Sequence, residues 1–120
     1  MSIELPPLIA DYIRAQNEQD AAGFASCFAV DAVLYDEPED TLVEGRVAIE
    51  CWAAETFANT KLTIEPLAFE DDHTDSILSS RVSGDFPGSP LLFHHHLTIV
   101  DDRFQKVIIH LGRPEADTPA

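Results

Sequence analysis

Between Lys61 and Leu111 the chain passes through four stretches rich in β-branched and aromatic residues, with only short turn signals between them. The stretches are Lys61 to Phe69, Asp75 to Phe86, Leu91 to Val100 and Phe104 to Leu111. Glu70-Asp71-Asp72-His73, Pro87-Gly88-Ser89-Pro90 and Asp101-Asp102-Arg103 separate them. Parallel neighbours need crossovers of roughly a dozen residues or more, so connections this short predict an antiparallel meander. Whatever precedes Lys61 must pack onto that sheet.

The first half has a different period. Leu5, Leu8, Ile9, Tyr12 and Ile13 recur at helical spacing with Asp11, Arg14 and Glu18 between them, and Pro6 and Pro7 are tolerated in the first turn. Asn17 to Asp20 breaks this helix, and Asp20 can N-cap a short second one carrying Phe24, Cys27 and Phe28. Ala32 to Asp36 reads as a strand and the acidic run Asp36–Asp40 around Pro38 as a loop. After Gly45 a third helix carries Ala48, Ile49, Trp52, Ala53 and Phe57 on one face. The expected fold is one α+β domain over residues 1–120, its core about 5–112 and the residues after Gly112 a frayed tail. A curved antiparallel sheet with helices on its concave face makes a cone-shaped α+β barrel, whose mouth is a natural small-molecule site.

Charge narrows the partners. Twenty-two acidic residues against 7 basic ones leave a net charge of −15. Such a surface repels phosphate backbones and anionic lipid, which argues against nucleic acid and membrane surfaces. No apolar run approaches the roughly 20 residues that span a bilayer. Met1 to Pro7 lacks the pattern of a secretory signal, so a cytoplasmic location is expected. Cys27 and Cys51 stand in no metal or redox spacing; a disulfide and two reduced thiols both remain open, the compartment favouring thiols.

Three segments carry a family resemblance. They are Tyr12-Ile13-Arg14-Ala15-Gln16-Asn17 with Asp20, Phe28 through Tyr35-Asp36-Glu37-Pro38, and Glu44-Gly45-Arg46-Val47-Ala48-Ile49. Val82 to Pro90 is similar to a hairpin of many SnoaL-like proteins. Over roughly Leu5 to Gly112 the chain resembles the nuclear-transport-factor-2-like superfamily, in particular its SnoaL-like and ketosteroid-isomerase-like members. That resemblance implies a function class, with no cofactor: proton transfer on a small apolar carbonyl compound, as in an isomerase or cyclase. It places the isomerase's oxyanion-donating tyrosine on Tyr12 and its general-base aspartate on Asp36. The second oxyanion donor, an aspartic acid there, becomes His95, and a further tyrosine becomes Ala53 beside Trp52. The alternative is a non-catalytic module of the same fold that binds a ligand or a protein partner.

Each candidate has a plainer reading beside it. Asp36 ends an apolar strand and shares the parity of Leu34, so it points into the cone, where desolvation makes a carboxylate a better base; otherwise it is one more surface acid. Tyr12 is an oxyanion donor or only a large core residue. In the triplet His94-His95-His96, strand alternation puts His95 inward with Leu91, Phe93, Leu97 and Ile99. Val107, Ile109 and Leu111 point inward on the next strand. His94, His96 and His110 then face outward, where they could bind Zn²⁺ or Ni²⁺ or, more in keeping with the superfamily, meet a second subunit. A β-bulge between Phe93 and Leu97 would reverse this assignment. Trp52, Phe57, Phe93, Leu97 and Ile109 are expected to line the ligand site, and Arg81 to pair with an acid. A homodimer through the outer sheet face would cover Leu92, Val100 and Ile108.

Overall fold

The protein is described by a computed structural model over residues 4–72 and 75–112. The expected tail after Gly112, and part of the turn at His73, lie outside these residues.

Helix α1 (Pro7–Asn17) starts on Pro7, whose missing N–H would have had no intrahelical partner. Its buried stripe is Ile9, Tyr12, Ile13 and Ala15. Asp20 caps α2 (Ala21–Ser26) by accepting a hydrogen bond from the Gly23 N–H at 3.0 Å. Strand β1 (Phe28–Asp36) follows, then a single 3-10 turn at Glu37–Glu39. Asp40, left-handed at φ 50°, leads into β2 (Thr41–Glu44). The acidic run is a turn as expected, but β2 was not foreseen: four residues are too short for alternation to declare itself. Gly45, at φ 92°, makes the corner into α3 (Arg46–Asn59), a conformation side chains disfavour, while its N–H donates to the Ala32 carbonyl at 2.7 Å. Along α3 the buried positions are Ile49, Ala53 and Phe57; Ala48, expected with them, is exposed because it lies toward the outer edge of that stripe.

The meander is present as β3 (Leu62–Asp72), β4 (Asp75–Gly84), β5 (Leu91–Val100) and β6 (Arg103–Leu111). Six strands form one sheet in the order β2-β1-β6-β5-β4-β3. All neighbours are antiparallel except β1 and β6, so the curved sheet is mixed rather than wholly antiparallel. The β5–β6 turn places both Asp101 and Asp102 at positive φ, as a tight hairpin whose twist matches its strands requires. Pro66 sits on the edge strand β3, where a missing N–H is tolerated. Register shifts interrupt the ladders between Pro66 and Ala68 on β3 and opposite Thr98–Ile99 on β5. Such bulges bend a sheet; the first lies level with Phe93 and His94 two strands away, the second lies beyond the histidines, and neither interrupts β5 between Phe93 and Leu97.

The core lies between the helices and the inner sheet face. Tyr12, Phe24, Phe28 and Phe104 form its aromatic centre, with ring centroids 5.0 Å apart for Tyr12–Phe104 and 5.3 Å for Phe28–Phe104. Leu34, Leu78, Leu97 and Val107 complete it from the strands. The inward parity assigned to Val107 holds, but Leu111 is 53% exposed: it is the last residue of β6 and has run past the helices that would cover it. Cys27 is buried and Cys51 exposed, and neither is in a disulfide. Burial pushes the Cys27 thiol up to about 11.

Candidate functional site

The cross-strand register assembles the candidate residues. Ile109 of β6 pairs with Asp36 on one side and with His95 on the other. Residues directly opposite one another share a sheet face, so Asp36, Ile109 and His95 form one row on the inner face. Strand spacing sets the two polar backbones roughly 10 Å apart, with an apolar side chain between them. Pairing of β5 with both neighbours is unbroken from Phe93 to Leu97, so the histidine parity is not reversed.

His95 is 3% exposed. Its Nδ1 lies 2.8 Å from the Tyr12 hydroxyl and its Nε2 lies 3.1 Å from the Ser80 hydroxyl. A neutral imidazole donates from one nitrogen and accepts at the other, so the two hydroxyls must be oriented in concert. With the proton on Nε2, Ser80 accepts and Tyr12 donates to Nδ1; with the proton on Nδ1, both roles reverse. Burial, aided by His94 and His96, pushes His95 down to about 3, so the ring is neutral throughout the physiological range. Burial likewise raises Tyr12 well above the usual phenol range, with smaller contributions from Cys27 and Asp36.

Asp36 closes β1, half-buried, and is pushed up to about 6, first by desolvation and then by the neighbouring Glu39 carboxylate. It faces a cavity of about 130 Å³. Helix α3 supplies Trp52, Thr56 and Phe57 to the wall, the sheet supplies Leu62, Val82, Phe93 and Ile109, and α2 supplies Phe24. The remaining polar lining is Gln16, Asp36 and His95. The chemistry available is one poised carboxylate and one neutral imidazole in an apolar enclosure.

A model of the SnoaL-like domain matches residues 9–107. The chain belongs to the SnoaL-like family. Among solved structures it is similar to a provisionally assigned polyketide cyclase from Sinorhizobium meliloti, at 32% identity and a TM-score of 0.81, covering 88% of this chain and 95% of that one. A protein of ketosteroid-isomerase-like fold from Catenulispora acidiphila DSM 44928, solved with trimethylamine, has 15% identity, a TM-score of 0.82 and coverage of 89% and 86%. A SnoaL-like protein of unknown function from Burkholderia thailandensis E264 has 16% identity, a TM-score of 0.75 and coverage of 88% and 92%. The last two share the fold. No curated protein matches the sequence.

In this SnoaL-like domain Asp36, His95, Trp52, Phe57, Phe93 and Ile109 line one cavity. Tyr12 does not line it; its hydroxyl ends on His95. Leu97, expected on the wall, is 1% exposed and lies one row deeper, opposite Val107, where it packs into the core. Sequence reasoning did not place Gln16, Phe24, Thr56, Leu62, Val82 or Ser80 at the site. Gln16 is four residues beyond Tyr12 and Thr56 four beyond Trp52, the helical neighbour spacing, and that signal was available. Ser80 shares the inward parity of Leu78 and Val82.

The outward histidines each have a partner. Ser79 Oγ lies 2.9 Å from His94 Nδ1, and His110 Nδ1 lies 2.9 Å from a Glu37 carboxylate oxygen. The His96 ring meets that of His110 edge-on at 4.7 Å. His96 and His110 thus meet while His94 turns to Ser79, and among the described residues no group of three or more His, Cys, Asp or Glu is placed to hold a metal ion. Arg81 pairs with Glu65 at 3.0 Å. Among the described residues no helix is long and apolar enough to cross a membrane.

Proposed function

We propose that this SnoaL-like domain catalyses proton transfer on a small apolar carbonyl compound, as an isomerase or cyclase. The observation that carries the reading is the row Asp36–Ile109–His95, which aims a carboxylate of raised pKa and a neutral imidazole at one apolar cavity. The Asp36 carboxylate takes a proton from the carbon beside the carbonyl, and the C–H electron pair moves into an enolate. The Nε2–H of His95, exchanging Ser80 for the substrate oxygen, stabilises the developing oxyanion. Asp36 then returns the proton to the far carbon of a dienolate in isomerisation or, in cyclisation, to the alkoxide left when the enolate carbon bonds to a second carbonyl carbon and that C=O π pair moves to oxygen. Tyr12 acts through His95: by donating to Nδ1 it holds the imidazole with its proton on Nε2, so it is a positioning residue. The likeness to the Sinorhizobium meliloti protein supports the cyclase side of this reading.

Deuterium wash-in at the α-carbons of cyclohexanone, followed by NMR, tests it. Asp36→Asn should lower the exchange rate by about 100-fold or more while the fold persists. Full exchange in that variant would remove Asp36 from the chemistry. Saturable binding with no exchange would favour the other reading, a ligand-binding or interaction module.

A further inference from the structure

A second cavity, of about 320 Å³, abuts the first and shares three residues with it: Asp36, Trp52 and Thr56. Its other lining is Glu39, Thr41, Asn59 and Thr60. The two differ in kind. The first is walled by buried rings and aliphatic side chains, among them Phe24, Phe57 and Val82. Apart from Trp52, the second is walled by three hydroxyls, one amide and two carboxylates, with Glu39 and Asn59 exposed. Asp36, Trp52 and Thr56 therefore stand at the boundary between an inner apolar chamber and an outer polar vestibule.

Size limits what enters the chamber. A dry apolar cavity of roughly 150 Å³ accommodates benzene, whereas sites for drug-sized ligands run to roughly 300 Å³ and above. At about 130 Å³ the chamber shelters one six-membered ring or a branched chain of similar bulk, and a second fused ring has to extend into the polar mouth. Charge limits what fills the vestibule. Glu39 and Asp36 line it, among the described residues no lysine or arginine lines either cavity, and the chain carries a net charge of −15. An anionic group placed there meets repulsion from both carboxylates, while hydroxyl, amide and ammonium groups find acceptors.

We infer that the site selects an amphipathic carbonyl compound, with one ring-sized apolar part in the chamber and a neutral or cationic polar extension in the vestibule. The carbonyl rests on the proton-transfer reading; the size and charge selection does not.

Trp52 is the sole tryptophan and lines both cavities, so its fluorescence reports occupancy without any turnover. The probes are cyclohexanone, its derivatives bearing a hydroxyl, a dimethylammonium or a carboxylate opposite the carbonyl, and the fused bicyclic ketone decalone. At low ionic strength the carboxylate should bind about tenfold more weakly than the hydroxyl compound, and the ammonium at least as well as it. Decalone should bind about tenfold more weakly than cyclohexanone although it is the more hydrophobic. Glu39→Gln should narrow the carboxylate's deficit by about threefold, the size of one partly screened charge pair. A carboxylate bound as tightly as the alcohol, a decalone bound more tightly than cyclohexanone, or no saturable signal from any ring probe overturns the inference. Deuterium wash-in on the same samples separates the two claims. Selective binding without exchange sinks the proton-transfer reading and leaves the selection standing; exchange without selectivity does the reverse.

Discussion

The Tyr12 hydroxyl lies 2.8 Å from Nδ1 of His95, joining α1 to the middle of the sheet across 83 positions of sequence. Both side chains are nearly or fully buried, so neither atom has water to fall back on. Tyr12→Phe keeps the ring and leaves Nδ1 without its partner. That should cost about 1–3 kcal/mol of stability, the penalty of one unsatisfied buried polar atom. It also frees the imidazole to change tautomer. ¹⁵N spectra of His95 should therefore show a mixed protonation pattern in the variant and a single one in the parent, an effect that lost packing alone would not produce. An unchanged pattern would mean that Ser80, on Nε2, sets the tautomer.

Asp36 makes two predictions of opposite sign. Its pKa of about 6 in the fold stands above the ordinary 3.8. A base works only when ionised, so kcat/KM should climb as pH rises through about 6 and level off above it. Stability should move the other way. The folded state holds this proton more tightly than the unfolded chain does, so the associated stability is full below pH 3.8 and lost as pH rises through about 6. Asp36→Asn removes the charge and should raise stability at pH 8 by about 1 kcal/mol once partial solvent screening is discounted. Thermal melts at pH 4 and pH 8 check this: the gain should appear only at the higher pH.

Strand alternation and turn chemistry made most of the fold legible, because both are local and strongly patterned. In the sequence Phe93, Leu97 and Ile99 set the inward side of β5, and the ladder, unbroken from Phe93 to Leu97, keeps the histidine assignment. The parallel pairing of β1 with β6 was not legible, since it joins segments about seventy residues apart with no pattern of their own. Nor was the contact of Tyr12 with His95. Helical spacing put it on the buried stripe, but where a hydroxyl ends depends on the packing of α1 against β5, and Ser80 looked like any serine in a strand. The cavity's size likewise follows from how Phe24, Trp52, Phe57 and Phe93 interlock, which composition does not specify.

We propose that a second copy of the chain covers the outer sheet face. Tyr35, Ile108 and Ile77 form a cross-strand row there with His96, continued on β2 by Leu42, which is 57% exposed, while Val100 at the end of β5 is 45% exposed. Monomers seldom leave a strip of this kind uncovered. Sedimentation at micromolar concentration should give twice 13.2 kDa, and Ile108→Glu, a charge in the middle of the row, should give the monomer mass. A parent that sediments as a monomer rules the interface out.

His95 should make the domain lose stability in acid. Its pKa in the fold, about 3, is far below the ordinary 6.5, so the unfolded chain takes up a proton that the folded chain refuses. The associated stability is full above pH 6.5 and is lost as pH falls toward 3, at up to about 1.4 kcal/mol per pH unit. Asp36 opposes this between pH 6 and 3.8, because there the folded state is the one that gains a proton. Urea unfolding at a series of pH values separates the two. His95→Gln should flatten the decline in stability between pH 6.5 and 4, whatever it does to stability at neutral pH. Asp36→Asn should steepen it by removing the compensation. The slope carries the information, so a His95→Gln protein that is merely less stable still decides the matter. If its slope equals the parent's, the buried imidazole is not what the acid attacks, and His95 is either protonated in the fold or reached by solvent.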